Sequence, residues 1–259
     1  MFVPHEGDLL EAAHDAHCCN HIMLLIVGAS GTVGSRLTRR LLERGDTVRA
    51  VSRSAEHLAS LRTLGATAIE GDLRSDSWML AALDGVNTLV LAAHGLVPPS
   101  RVNHPGVIDG EGNRRIINAA SRAGVNHIIF VSASSGADSP ALFGQVKYQT
   151  EQHLSQSGVN YTIVRPTVYI ETHALQLLAR PLRAQGSVVL LGSGTTRVNW
   201  ISAYDVVAFL LQAIDAKQPR NRTSVIGGPD TMSRLEVLET IERMLGVTAK
   251  RRQVPLALL

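Results

Sequence analysis

The chain has 259 residues, of which 45% are hydrophobic and 18% are charged, and its formal net charge is +3. This composition is typical of one globular domain with a large core and excludes a disordered chain. The small positive charge argues against a nucleic-acid partner, and no apolar run is long enough to span a bilayer. The only cysteines are the neighbours Cys18 and Cys19, so we expect no disulfide framework and a cytoplasmic location.

The first 21 residues differ in composition from the rest. They hold both cysteines, four histidines and no Lys or Arg. We predict that residues 1–21 form a disordered tail, with a short helix over 8–16 as the alternative. The spacing of His14, His17 and Cys18 matches no zinc pattern, so we expect no metal site. Because Met23 opens the first predicted strand directly, the tail is a candidate for a segment upstream of the natural start.

A glycine-rich turn lies between a predicted strand, 22–27, and an amphipathic helix. Glycines spaced three apart at such a junction let the backbone approach a phosphate closely, and the helix N-terminus offers its free N–H groups to that phosphate. The turn therefore predicts dinucleotide binding, with a ligand-free glycine turn as the alternative. The expected contacts are Gly28, Ser30, Gly31, Thr32, Val33 and Gly34.

The end of the second predicted strand, 48–52, carries the signal for cofactor choice. An acidic side chain there would accept hydrogen bonds from the adenosine ribose, but the sequence has Arg53. A guanidinium can bind a 2′-phosphate through two hydrogen bonds. We therefore predict NADP(H) as the cofactor, and the alternative is a solvated surface arginine.

The alternation of strands and helices continues through the third, fourth and fifth predicted strands, 67–70, 86–92 and 126–131. This rhythm predicts an α/β, doubly wound parallel-sheet Rossmann fold with right-handed crossovers. Side chains at the carboxyl ends of its strands face the cofactor. Asp72 is expected to bind the adenine amine or to serve as an N-cap. The further expected cofactor contacts are Leu73, Ala92, Ala93 and Ser132.

An ordered series of segments resembles the NmrA-like branch of the atypical short-chain dehydrogenase/reductases and covers residues 22 to about 250. The segments are Gly28–Gly34, Arg53, Gly71–Leu73, Asp109–Asn113, 124–132, Lys147–Glu151, Ser157–Pro166, Trp200–Val207 and Ile226–Asp230. The resemblance implies an NADP-binding domain with a small C-terminal lobe over the nicotinamide. It also implies two kinds of member: reductases of quinones, enones or similar small compounds, and proteins that bind the cofactor as redox sensors or regulators.

The chemistry depends on the helix that carries Lys147. Ordinary members of the superfamily place a Tyr four residues before this Lys on the same helical face. In them the Tyr protonates the substrate oxygen and the Lys holds the nicotinamide ribose, so the resemblance makes Lys147 a further expected cofactor contact. Phe143 stands at that position and cannot donate a proton. Tyr148 follows Lys147 directly, so its side chain lies about 100° around the helix from that of Lys147 and is expected to pack elsewhere.

Three alternatives remain for the proton. Lys147 can be the general acid, as the resemblance suggests, or Tyr169 can reach the substrate from the mouth of the site, or no donor exists and the protein is a sensor. Ser134 is expected near the substrate-orienting serine of the family, or else as a turn hydroxyl. The competing interpretation for Lys147 is a surface salt bridge to Glu151 at i+4.

Residues 22–158 are predicted to form the NADP-binding Rossmann core, and residues 159–259 to complete the sheet and form the substrate lobe. Tyr169, His173 and Trp200 are candidates for the pocket lining. The predicted function is NADPH-dependent hydride transfer to a small carbonyl, quinone or enone by a monomer or homodimer. The alternatives are a non-catalytic NADP-binding sensor and a redox-neutral cyclase or isomerase.

Overall fold

The computed structural model describes residues 22–95, 103–135, 139, 141–216 and 221–254. The predictions for the tail over 1–21, including its metal-ligand types, fall outside these residues. The strands are β1 Met23–Val27, β2 Thr47–Ser52, β3 Thr67–Glu70, β4 Thr88–Leu91, β5 His127–Val131, β6 Asn160–Pro166, β7 Val168–Tyr169, β8 Ser187–Leu191, β9 Arg197–Ile201, β10 Arg222–Ile226, β11 Thr231–Ser233 and β12 Lys250–Val254.

Eight α-helices connect these strands in the described part of the chain. They are α1 Thr32–Glu43, α2 Ala55–Thr63, α3 Met79–Leu83, α4 Asn113–Arg122, α5 Leu142–Ser155, α6 Arg180–Gln185, α7 Ala203–Ile214 and α8 Arg234–Leu245. Two of them continue from π-helical segments, Gly106–Gly112 before α4 and Glu171–Ala179 before α6. None of the described helices has both the length and the apolar character needed to cross a membrane.

Seven parallel strands form the central sheet in the order β10-β6-β5-β4-β1-β2-β3. The chain leaves β1 toward β2 on one side and returns to β4 on the other, so the sheet has a topological switch point between β1 and β4. This arrangement confirms the predicted doubly wound Rossmann fold. Dinucleotides bind at such a switch point, outside the carboxyl ends of the strands.

Each face of the sheet is covered by helices, which explains why its central strands are apolar on both sides. Leu37 and Leu41 of α1 pack with Val206 and Leu210 of α7 on one face. On the other face, α3, α4 and α5 cover a second cluster that includes Phe130, which is fully buried. Alternating strand residues contribute to the two clusters, as the period-2 geometry of a strand requires.

The C-terminal part adds two small sheets beside the main one. One has the order β11-β9-β7 and the other pairs β12 with β8. A separate apolar cluster, in which Leu182, Val188 and Leu238 are buried, joins α6, β8 and α8. Four of the described elements were not predicted. The helix α3 and the strands β7 and β11 have too few residues to show a period, and β12 is almost entirely polar.

Candidate functional site

The glycine turn after β1 has the close backbone approaches that its spacing predicts. Gly28 has a φ of +89°, and a Cβ there would lie 2.6 Å from the backbone nitrogen of Ala93. A Cβ on Gly34 would lie 2.2 Å from the carbonyl oxygen of Gly28. The turn therefore requires glycine at both positions, one to pass β4 and the other to bring α1 against the strand.

A cleft of about 220 Å³ opens beside this turn, at the carboxyl ends of β1 to β4. Its walls are backbone and small side chains near the turn, and polar side chains further out. The lining residues are Val27, Gly28, Ser30, Gly31, Val51, Ser52, Arg53, Gly71, Asp72, Leu73, Ala92, Ala93, His94, Asn103 and Ile108. Eight of the predicted cofactor contacts are among them: Gly28, Ser30, Gly31, Arg53, Asp72, Leu73, Ala92 and Ala93.

The remaining predicted contacts lie in the surrounding structure. Thr32 and Val33 form the first turn of α1, where Val33 is buried in the core. Ser132 and Lys147 are buried at the end of β5 and on α5. The glycine turn, the start of α1 and the polar end of the cleft fit a dinucleotide.

Two charged residues face each other at the outer end of the cleft. Arg53 is exposed and donates a hydrogen bond of 3.3 Å to Oδ1 of Asn103. Asp72 accepts hydrogen bonds from the backbone and guanidinium nitrogens of Arg74, each at 2.9 Å. Partial burial acts to raise the pKa of Asp72, but these bonds hold that pKa below its usual value. The N-cap alternative for Asp72 is wrong, because α3 begins only at Met79.

Lys147 does not lie on the surface but is one partner of a buried ion pair. Its side chain is 3% exposed, and Nζ lies 3.0 Å from Oδ1 of Asp109, which is fully buried. Nζ also donates to the carbonyl oxygen of Val131 at 2.9 Å, and it lies 4.6 Å and 5.5 Å from the ring centroids of Phe130 and Phe143. The ammonium is therefore held by two oxygens and two aromatic rings.

The alternative interpretation of Lys147, a salt bridge to Glu151, is wrong. Glu151 accepts a hydrogen bond from Nε of Arg165 at 3.0 Å, and the other guanidinium nitrogen Nη2 and the Ser132 hydroxyl also contact its carboxylate. Glu151 is buried, and its bond to the Arg165 guanidinium raises the pKa of that arginine. The i+4 pair does not form, because each partner is paired elsewhere. Glu151 binds Arg165 of β6, and Lys147, one turn earlier on α5, binds Asp109.

Asp109 is the residue of this site whose role the sequence analysis missed. It lies in the π-helical segment before α4, and its Oδ2 accepts a hydrogen bond of 2.8 Å from the backbone nitrogen of Gly95. One carboxylate thus joins the loop after β4 to Lys147 on α5. The sequence held no clear signal for this role, because Asp109 is followed closely by polar residues such as Glu111 and Asn113.

His94 follows Ala93 at the end of β4 and lines the cleft with an exposed side chain. The walls of the cleft partly desolvate the imidazole and lower its pKa, and the positive charge of Lys147 lowers it further. Asp109 acts in the opposite direction but does not reverse the shift. The shift therefore favours the neutral form of the ring.

The other candidate residues are dispersed. Ser134 is exposed just beyond β5, and its backbone nitrogen donates to the carbonyl oxygen of Pro166. Tyr169 packs against the core cluster of α1 and α7, its buried hydroxyl has no hydrogen-bond partner within the described residues, and burial raises its pKa. Trp200 is buried and donates to the carbonyl oxygen of Met232. None of these three side chains lines the cleft.

His173 lies beside Arg234, 3.3 Å from its guanidinium, and burial lowers the pKa of the imidazole to about 4. It does not line the cleft either. Of the residues proposed for the pocket wall, His173 and Trp200 thus connect parts of the C-terminal lobe to each other. Among the described residues, no group of three His, Cys, Asp or Glu side chains is arranged to hold a metal ion.

Comparison with known proteins agrees with this geometry. A family model described as NAD(P)H-binding matches residues 28–217. An NAD(P)H azoreductase of Xenophilus azovorans is 30% identical over 226 residues, which cover 86% of this chain and 74% of that protein. Photosystem II assembly factor Ycf39 of a Synechocystis strain is 27% identical over 237 residues, which cover 91% of this chain and 72% of that protein.

A solved structure of MoeE5 in complex with UDP-glucose and NAD has a similar fold. The TM-score is 0.77 at 23% sequence identity, and the match covers 90% of this chain and 85% of that one. At this identity the likeness establishes the fold and nothing of the substrate.

Proposed function

The chain belongs to the NAD(P)H-binding family of atypical short-chain dehydrogenase/reductases, and from this membership we propose that it is an NADPH-dependent reductase of a small carbonyl, quinone or enone compound. The observation that carries the proposal is the open cleft at the switch point, with the glycine turn at its centre and Arg53 at its outer end. The name of the azoreductase relative supports a reductive reaction on a small organic molecule.

Each part of the cleft has a task in binding. The backbone around Gly28 and Gly31 and the start of α1 would hold the pyrophosphate. Arg53 would bind the 2′-phosphate, and Asp72 the adenine amine. NADPH, when bound, would supply a hydride, which carries both electrons of the reduction, to the substrate. The preference for NADPH over NADH rests on Arg53 and on the absence of a carboxylate at the end of β2.

Ordinary members of the superfamily use a Tyr and a Lys at this point of the helix. Here Lys147 acts without the Tyr, and its contribution is its positive charge. A fixed ammonium in a low-dielectric environment stabilises negative charge that develops on a nearby substrate oxygen. The bonds to Asp109 and to the Val131 carbonyl hold this charge in place. Ser134, exposed at the end of β5, is the candidate to orient the substrate.

A cofactor-binding sensor without turnover is the second candidate. Phe143 at the position of the usual acid favours it, and so does the closed set of contacts around Lys147. The photosystem II assembly factor among the relatives is likewise named for an assembly role and not for a reaction.

A two-step assay separates the two candidates. Fluorescence titration first measures the affinity for NADPH, and a panel of quinones and enones is then added while the absorbance of NADPH is followed. Oxidation of NADPH that depends on a panel compound supports the reductase. Tight NADPH binding without oxidation by any compound of the panel would favour the sensor.

A further inference from the structure

His94 is a titratable side chain in the cleft for which the proposed function has no task so far, and its role deepens that function and rests on it. It stands directly after Ala92 and Ala93 at the carboxyl end of β4 and lines the same cleft as the glycine turn. Its side chain is exposed, so a bound molecule can reach the imidazole.

The backbone at His94 is held by the ion pair beneath it. The nitrogen of Gly95 donates to Oδ2 of Asp109 at 2.8 Å, and Oδ1 of the same carboxylate lies 3.0 Å from Nζ of Lys147. A Cβ on Gly95 would lie 2.7 Å from the carbonyl carbon of His104, so the chain is also packed tightly on its other side. A functional group needs this kind of fixed support to keep a productive geometry.

The surroundings of His94 keep its imidazole neutral. Partial desolvation and the Lys147 ammonium lower its pKa, while the Asp109 carboxylate opposes them. A neutral imidazole carries one N–H donor and one acceptor nitrogen. A neutral imidazole of lowered pKa can polarise a carbonyl and hydrogen-bond to the oxygen as it becomes negative.

We propose that His94 is a catalytic residue whose N–H donates a hydrogen bond to the oxygen of the reducible group, the contact that Phe143 cannot make. As the hydride forms the new C–H bond, the electron pair of the carbonyl bond moves to the oxygen. His94 stabilises this oxyanion and keeps its proton, and the oxygen takes a proton from water. Lys147 supplies the positive charge behind the imidazole.

The test compares three variants with wild-type protein in menadione reduction at saturating NADPH. His94→Leu removes the donor, His94→Gln keeps an N–H donor, and His153→Leu is the matched control. His153 contacts Asn118 and does not line the cleft. We expect His94→Leu to lower kcat about 100-fold, the effect of losing one oxyanion donor, with the NADPH Kd changed less than about threefold. His94→Gln should retain kcat within about tenfold of wild type, and His153→Leu should match wild type.

A second readout does not depend on activity. The ¹⁵N NMR spectra of the histidine imidazoles are recorded without cofactor for wild type and for His94→Leu, and the resonance that the variant lacks is assigned to His94. This resonance should be that of a neutral ring at pH 7, and it should titrate below the usual histidine pKa. Three results would overturn the role of His94 while leaving the proposed function standing. They are an unchanged kcat in His94→Leu, a loss of activity that weaker NADPH binding explains entirely, and titration of His94 above the usual histidine pKa. Absence of wild-type turnover with menadione and with every other quinone and enone of the panel overturns the proposed function as well.

Discussion

The site has two halves that use their residues differently. The cofactor half, Gly28–Gly34 with Arg53 and Asp72, is an open cleft that works largely through backbone groups. The polar half consists of two ion pairs: Asp109–Lys147, which is buried, and Glu151–Arg165, in which the carboxylate is buried and the guanidinium is part-buried. Backbone N–H groups can bind a ligand without help from other parts of the chain. Buried side-chain charges, in contrast, must be paired with residues from other elements. The partners in the polar half come from the π-helical segment, from α5 and from β6.

The largest expected effect lies in the polar half. Lys147→Met leaves the Asp109 carboxylate buried without its cation, and breaking such a pair costs about 3–5 kcal/mol of the free energy of unfolding. Urea unfolding followed by circular dichroism measures the loss. Lys250→Met, at an exposed lysine, is the control and should change stability by less than about 0.5 kcal/mol. If Lys147→Met loses no more than the control, the pair does not contribute to the stability of the polar half.

A single methyl group added at Gly28 should destabilise the turn of the cofactor half. Gly28→Ala combines a left-handed backbone with a Cβ 2.6 Å from the nitrogen of Ala93, and strain and overpacking together should cost about 2–4 kcal/mol. Gly45→Ala is a matched control, because Gly45 also has a φ of +89° but has open space around it. It should lose about 1–2 kcal/mol from strain alone. Equal losses in the two urea-unfolding curves would contradict the close approach to β4.

Acid should weaken the buried sheet that carries the polar half. His127 at the start of β5 is buried beside Thr162, and desolvation lowers its pKa to about 4. The unfolded chain binds a proton at His127 more readily than the folded chain does. Neutral His127 therefore contributes about 2–3 kcal/mol to the free energy of unfolding above about pH 6.5, and this contribution is lost as the pH falls toward 4. His127→Gln should flatten the pH dependence of urea unfolding, whereas His57→Gln, at an exposed position, should not; equal slopes would contradict the assignment.

The cofactor half was predicted from the sequence far better than the polar half. The glycine spacing, the strands and Arg53 are local signals, and their consequences follow from backbone geometry within one βαβ unit. The partner of Lys147 could not be predicted, because Glu151 lies at the favourable i+4 spacing while Asp109 is remote in sequence. The role of Gly227 and Gly228 in packing was likewise not predicted: a Cβ on Gly228 would lie 2.1 Å from the carbonyl oxygen of Trp200. These glycines allow close packing against β9.

The smallest expected effect concerns the outer end of the cofactor half. Arg53→Gln removes the charge-assisted contact that we propose to a 2′-phosphate, and it should weaken NADPH binding about tenfold with little effect on NADH. Arg40→Gln, an exposed arginine of α1 that pairs with Glu43, is the control and should bind both cofactors as wild type does. Fluorescence titration of wild type and both variants with NADPH and with NADH measures the six affinities.

The most direct test of the account is the same titration on the wild-type protein, with NADPH and NADH compared under identical salt. We expect NADPH to bind at least about tenfold more tightly than NADH in wild type, and we expect the difference to disappear in Arg53→Gln. Equal affinities, or tighter binding of NADH, would contradict the assignment of the cleft to NADPH.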